Sequence, residues 1–187
     1  MSQATPLNIQ LEWTPNPSTI KYVVNVPLLS AGAASFTSLE AARGKSPLAE
    51  KLLKIEGVTG VMLGVSFVTI TKGDAGDWDA MNDQVTATLE EHLSRKQPVV
   101  IGNLTSAPKS GESEIERKIR AVLEEEIRPG VVSDGGDISL DRFEEGIVYL
   151  NLQGSCSGCP SSLMTLKMGI ENRLREAIPE VNEVVAV

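Results

Sequence analysis

Residues 131–160 read VVSDGGDISLDRFEEGIVYLNLQGSCSGCP, and the turns inside this stretch organise the whole C-terminal part of the chain. Asp134-Gly135-Gly136-Asp137 is a sharp turn, because glycine accepts backbone angles that other residues avoid. It leads into a β run at 138–143; Glu144-Glu145-Gly146 reverses the chain, and a second β run follows at 147–152. A hairpin thus delivers the chain to Gly154-Ser155-Cys156-Ser157-Gly158-Cys159-Pro160. Pro160 suits the first helical position, where its missing N–H is no loss, which makes Cys159 the expected N-cap. Leu163, Leu166, Ile170, Leu174 and Ile178 then recur at spacings of three and four, the stripe of an amphipathic helix. A closing strand is expected over 181–187.

Upstream, Ser113-Glu114-Ile115-Glu116 is a capping box, in which the Ser113 side chain can accept from the Glu116 backbone N–H and the Glu116 side chain can reach back. Removing such a cap costs about 1 kcal/mol. Ile115, Ile119, Val122, Leu123 and Ile127 line one face of the helix it starts, and Pro129-Gly130 is expected to end it. The order of this region is α-β-β-α-β.

The first hundred residues repeat the mixture in a different order. The alternating Leu7-Asn8-Ile9-Gln10-Leu11 precedes a turn at Thr14-Pro15-Asn16-Pro17 and a second β run at 20–26. Ser46-Pro47 opens a helix carrying Leu48, Leu52, Leu53 and Ile55, and Gly57 stops it. Two β runs broken at Gly64 suggest a tight hairpin. Asp77 caps a last helix through residues 92–93, with Met81, Val85, Leu89 and Leu93 at spacing four. The order β-β-α-β-β-α describes a small sandwich. Between the two regions, QPVVIGNLTSAPKSGE (97–112) has no clear helical or strand period, and its second half has a linker's composition. The expected class is α+β: two small α/β sandwich domains, 1–100 and 112–187, joined by a flexible linker at 101–111.

The bulk properties agree with two small soluble units. The chain has 187 residues, with 41% hydrophobic, 22% charged and only 4% aromatic side chains, so its cores are aliphatic. The net charge of −8 argues against nucleic acid as a partner, because neutralising phosphates takes clustered Lys and Arg. That charge is uneven: residues 1–110 carry a net −1 and residues 111–187 a net −7. No stretch approaches the roughly 18–20 apolar residues of a membrane span. Residues 1–6, MSQATP, show neither a secretory nor a transit pattern, and the expected location is the cytoplasm.

Chemistry concentrates at the only two cysteines, Cys156 and Cys159. In a reducing compartment, two thiols three apart point to metal or redox chemistry rather than a structural disulfide. At a helix N-terminus the exposed N–H groups favour thiolates, and Gly154 and Gly158 let the backbone approach an inorganic group. Residues 146–166 carry no charged side chain, which suits a site covered by a partner. A tetrahedral zinc or a cubane cluster takes four protein ligands. One chain offers two thiolates, and its single histidine, His92, lies 64 residues upstream, so two chains about a two-fold axis supply the four. A dithiol–disulfide exchange protein, a stable one-electron carrier and a zinc-bridged dimer stand as alternatives. Asp134 and Asp137 read as turn and cap residues, Glu124-Glu125-Glu126 as a solvated helix end, Met164 and Met168 as core fillers, and His92 as a surface or dipole-complementing residue near a helix end. The serines at 155, 157, 161 and 162 have no base in view to make them nucleophiles.

Three stretches, VVSDGGDISL (131–140), GSCSGCPSS (154–162) and TLKMGIENRLRE (165–176), resemble the C-terminal domain of NifU-like, or Nfu-type, iron–sulfur cluster scaffold and carrier proteins. TPNP (14–17), SPLAEKLLKIEGVTGV (46–61) and VTITKGDAGDW (68–78) resemble that family's N-terminal domain. The resemblance implies a 4Fe–4S cluster, or a 2Fe–2S form, bridging a homodimer with Cys156 and Cys159 as ligands. It also implies transfer of the cluster to apo-proteins rather than turnover of a small molecule. Its partners would be iron–sulfur clients and an upstream assembly scaffold, with client recognition tuned by the N-terminal domain.

Overall fold

The computed structural model describes residues 6–30, 32–102 and 111–156, and the chain from Pro160 onward, with side chains from Met164. The chain divides into two compact units, Met1–Thr105 and Ser106–Val187.

The first unit is a five-stranded antiparallel sheet in the order β1-β2-β5-β4-β3. Its strands are β1 (Ile9–Trp13), β2 (Thr19–Val24), β3 (Ala34–Phe36), β4 (Val58–Leu63) and β5 (Phe67–Lys72). Helices α1 (Leu39–Ala42), α2 (Pro47–Leu52) and α3 (Trp78–Ser94) complete it. Local chemistry starts each helix. The Ser46 side chain accepts from the Ala49 N–H at 3.1 Å ahead of Pro47, and Asp77 accepts from the Asp79 N–H at 3.0 Å. Alternation along β2 buries Ile20, Tyr22 and Val24, which meet Leu48 and Leu52 of α2 and Met81, Val85 and Leu89 of α3. The Thr14–Pro17 segment closes the first hairpin: Asn16 Oδ1 accepts from the Ser18 N–H, and the Thr14 hydroxyl donates to the Asn16 carbonyl, both at 2.9 Å. The chain returns between β4 and β5 where Gly64 N–H donates to the Phe67 carbonyl at 2.8 Å.

Two elements are absent from the sequence-based order, the strand β3 and the single turn α1. Three residues are too few to display a period of two, and β3 exists because Ala34 and Phe36 find Leu63 and Val61 across the sheet edge. A further correction concerns His92, expected on the surface. It is fully buried in α3, with Nε2 3.2 Å from the Pro98 carbonyl, and among the described residues Nδ1 has no hydrogen-bond partner. Burial holds its pKa below the usual value, against the smaller upward pull of the Pro98 carbonyl.

The second unit follows the expected α-β-β-α-β order. Its sheet runs β6 (Gly136–Glu144), β7 (Ile147–Gly154), β8 (Glu183–Ala186), antiparallel then parallel. Helix α4 (Glu114–Val122) starts with the complete capping box: Glu116 N–H to Ser113 Oγ at 3.2 Å, and Ser113 N–H to Glu116 Oε2 at 2.8 Å. Pro129-Gly130 does not end the helical path. A π-helical turn at Leu123–Ile127 carries the chain into α5 (Arg128–Ser133), with Pro129 in the first turn of α5, the part of a helix where proline is best tolerated. The path ends at Gly135, whose φ of 79° is left-handed. The acidic run therefore lies within the helical path rather than at its end; Glu124 pairs with Arg128 and Glu126 with Arg173.

Helix α6 (Pro160–Ala177) buries Ile170 and Leu174 against Ile119, Ile138, Val148 and Leu150. Met164 and Met168, expected as core fillers, are instead 67% and 61% exposed. Leu166, a member of the expected stripe, packs partly buried against that core. No helix among the described residues is long and apolar enough to cross a membrane.

Candidate metal-binding loop

The two glycine-rich turns, about twenty residues apart in the chain, are neighbours in space. Antiparallel pairing of β6 with β7 sets Gly136 opposite Gly154. Just beyond the pair, Ser155 N–H donates to the Gly135 carbonyl at 3.2 Å, and the Ser155 hydroxyl donates to the Asp134 carbonyl at 2.6 Å. Buried Ser155 therefore ties the cysteine loop to the end of α5.

This stitching seats Cys156 directly over Gly136. A methyl group built on Gly136 would overlap Cys156 Sγ and lie 3.1 Å from its Cβ and 3.2 Å from its backbone nitrogen. The second glycine of the DGGD turn is thus required for room rather than for backbone angle. Cys156 is half-buried against the core of the second unit.

Asp137, read from the sequence as a turn residue, is a buried ion-pair partner. Arg128 donates to it twice, Nε to Oδ1 at 2.8 Å and Nη2 to Oδ2 at 3.1 Å, while Arg128 Nη1 reaches Glu124 at 2.6 Å. Burial opposes the guanidinium's charge, but the hydrogen bonds to Asp137 and Glu124 outweigh it and push its pKa upward. The clamp joins α5 to the first residues of β6 and so fixes the turn on which Cys156 rests. Sequence reading missed it, since no local pattern pairs an arginine with an aspartate nine positions on.

The electrostatics of Cys156 differ from the expectation of a thiolate favoured by a helix N-terminus. Burial pushes its thiol up, Ser155 pulls it down through a hydrogen bond, and Asp134 and Asp137 add to the upward shift. The physical reason is position. Cys156 lies just past the end of β7, half-buried against the core of the unit and close enough to Asp134 and Asp137 to feel their charge. Cys159, the second expected ligand, lies outside the described residues, as do Ser157, Gly158 and residues 103–110 of the expected linker.

Comparison with known proteins gives this geometry its context. Residues 119–185 match a family model described as "NifU-like domain", and residues 9–96 match "Scaffold protein Nfu/NifU N terminal". The chain is 41% identical to "NifU-like protein 4, mitochondrial" of Arabidopsis thaliana, over 97% of this chain and 66% of the relative. It is also 41% identical to "NFU1 iron-sulfur cluster scaffold homolog, mitochondrial" of Homo sapiens, over 96% of this chain and 71% of the relative. A solution structure of a NifU-like protein from Saccharomyces cerevisiae aligns with a TM-score of 0.48 and 21% identity, covering 55% of this chain and 92% of that one. The chain spans about two thirds of the length of the curated relatives it matches. Those relatives are named as mitochondrial, which overturns the cytoplasmic expectation; that expectation rested on the start of the chain, and this carries no information about compartment. With both halves matched in their proper order and two fifths of the residues identical across nearly its whole length, the chain belongs to the Nfu-type, NifU-like scaffold family.

Proposed function

We propose that the chain is a non-enzymatic iron–sulfur scaffold and carrier, in which Cys156 and Cys159 of two copies hold one 4Fe–4S cluster as cargo and release it to apo-proteins. The observation that carries this reading is the seat of Cys156 on Gly136, a fixed sulfur position at the rim of an uncharged segment. Family membership and the human relative's name, an iron-sulfur cluster scaffold homolog, support the choice of cargo. Two thiolates per chain are half of what a cubane needs, which supports a cluster bridging two copies. Iron takes the place of the thiol proton, so loading releases protons. Release is ligand exchange: thiolates of the client replace those of the two copies at iron, and the cluster changes neither composition nor oxidation state. The cluster arrives from an upstream assembly scaffold by the same exchange. Residues 1–100 act as a unit that recognises clients, joined through 101–111 to the cluster-binding unit 112–187.

Anaerobic reconstitution with iron and sulfide tests the proposal, read as iron and sulfide content, absorbance and mass in solution. The expected result is about four irons and four sulfides per two chains, with the mass returning to one chain on chelation. Cys156→Ser and Cys159→Ser are expected to lose the cluster and the metal-linked dimer while both units stay folded. A colourless chain that closes a Cys156–Cys159 disulfide instead would move the pair to redox chemistry and end the proposal.

A further inference from the structure

The helix layer of the first unit stops short of its sheet. A helix packed on a sheet covers about 10 Å, roughly two strands at about 4.8 Å spacing, so α2 and α3 cover four of five strands. Met81 lies against Gly57 and Gly76 near the start of β4, which turns that flank of α3 toward α2. The opposite flank faces β2 and the first hairpin. There the Trp78 indole donates to the Pro17 carbonyl at 3.2 Å, and the Tyr22 hydroxyl donates to Asn82 Oδ1 at 2.5 Å. Among the described residues, only β1, the edge strand, lies beyond that flank.

Register places the apolar residues of β1 on the covered face. Ile9, Leu11 and Trp13 stand opposite Val24, Tyr22 and Ile20, all three of which are core residues. Yet Leu11 is 44% exposed and Trp13 74% exposed. At 3.6 residues per turn, Asp79, Asp83 and Glu90 fall on the α3 flank that carries Asn82, whereas Arg95 falls on the far side. All three acids are exposed, and among the described residues none of them has an ion pair. The result is a trough with an apolar floor and one acidic wall.

We infer that this trough is a docking surface for a helix of a partner protein that bears an apolar stripe flanked by Lys and Arg. A strand added at the open edge of β1 would satisfy backbone groups but leave Leu11 and Trp13 in water. A helix beside α3 covers both and sets its basic flank against Asp79, Asp83 and Glu90. The inference stands apart from the cluster proposal, since it uses no residue of the cysteine loop.

Trp13 reports on its own burial once Trp78→Phe leaves it the sole tryptophan. The full chain carrying that change is titrated with a synthetic helix-forming peptide, Leu along one stripe and Lys on both flanks, and with a twin bearing Glu for Lys. The Lys peptide is expected to shift Trp13 emission to the blue and shield it from acrylamide, saturably, while the Glu twin does neither. Leu11→Ser is expected to weaken binding about five-fold, by loss of partly buried apolar area. Asp79→Asn with Asp83→Asn and Glu90→Gln is expected to weaken it about ten-fold at low salt and flatten its salt dependence. Far-UV circular dichroism checks that each variant is folded. Equal binding of both peptides, binding indifferent to these substitutions, no change in Trp13 emission, or a Trp13 already shielded in the free chain would each overturn the inference.

Discussion

Gly136→Ala isolates the contact on which the candidate site depends. The added methyl would overlap Cys156 Sγ, and its neighbours at 3.1 and 3.2 Å are the Cβ and backbone nitrogen of the same residue, so a rotamer change alone does not clear the space. Overpacking of this kind typically costs about 1–3 kcal/mol. For a unit of roughly eighty residues, each kcal/mol shifts the melting temperature by about 4–8 °C, so a fall of about 4–24 °C is expected in the C-terminal transition. Gly130→Ala in α5 is the control, since nothing lies within 4 Å of its added methyl. There the helical preference of Ala predicts a gain of up to about 1 kcal/mol. Calorimetry of both variants, paired with the alkylation rate of Cys156 and the yield of reconstituted cluster, completes the assay. Gly136→Ala is expected to melt earlier, expose the thiol to faster alkylation and bind less iron. A Gly136→Ala chain with unchanged melting and unchanged thiol reactivity would refute the claim that this glycine seats the cysteine.

The remaining predictions concern residues whose surroundings departed from their sequence reading. Asp137→Ala is expected to destabilise the second unit by about 1–3 kcal/mol, because it removes two charge-assisted hydrogen bonds from half-buried Arg128 and leaves it only Glu124 as a partner. Arg128→Met combined with Asp137→Leu should lose less than the two single changes together, as a double-mutant cycle by chemical denaturation will tell. His92 has a folded pKa below its unfolded value, so the unfolded state takes up its proton first and stability falls as pH drops below about 6.5. His92→Gln should flatten that decline in the first unit, measured by urea melts between pH 5 and pH 8. Met164→Gln with Met168→Gln should change the stability of the second unit by no more than about 0.5 kcal/mol, the range of an exposed site; a loss of several kcal/mol on denaturation would return both to the core.

Some of this was legible in the chain because the cause is local. Ser113 and Glu116 cap a helix start that they themselves form, and Ser46-Pro47 and Asp77 do the same for α2 and α3. Alternation in β2 and the spacing of Met81, Val85 and Leu89 are repeats of the backbone's own geometry, readable wherever the run is long enough. β3 was missed because three residues show no period, and the helical path past Pro129 because a π-helical turn joining two helices carries no local sequence signal. The cysteine pair, by residue type and spacing, narrowed the expectation to metal or redox chemistry.

Adjacency between distant residues was decided only by the tertiary structure. That Gly136 must lack a side chain follows from the β6–β7 register, which sets it under Cys156 twenty positions later. That Asp137 is a clamp rather than a cap follows from Arg128 arriving on α5. The same holds for His92, which closure of the chain at Pro98 buries, and for Trp13, which lies on an apolar face that no helix among the described residues of its unit covers. The sequence by itself determined the helix starts, the strand alternation and the two thiols, since each depends on neighbours within one turn or one strand. Burial, thiol electrostatics and the open trough depend on which elements stack, and the stacking is set by whole faces rather than by any local motif.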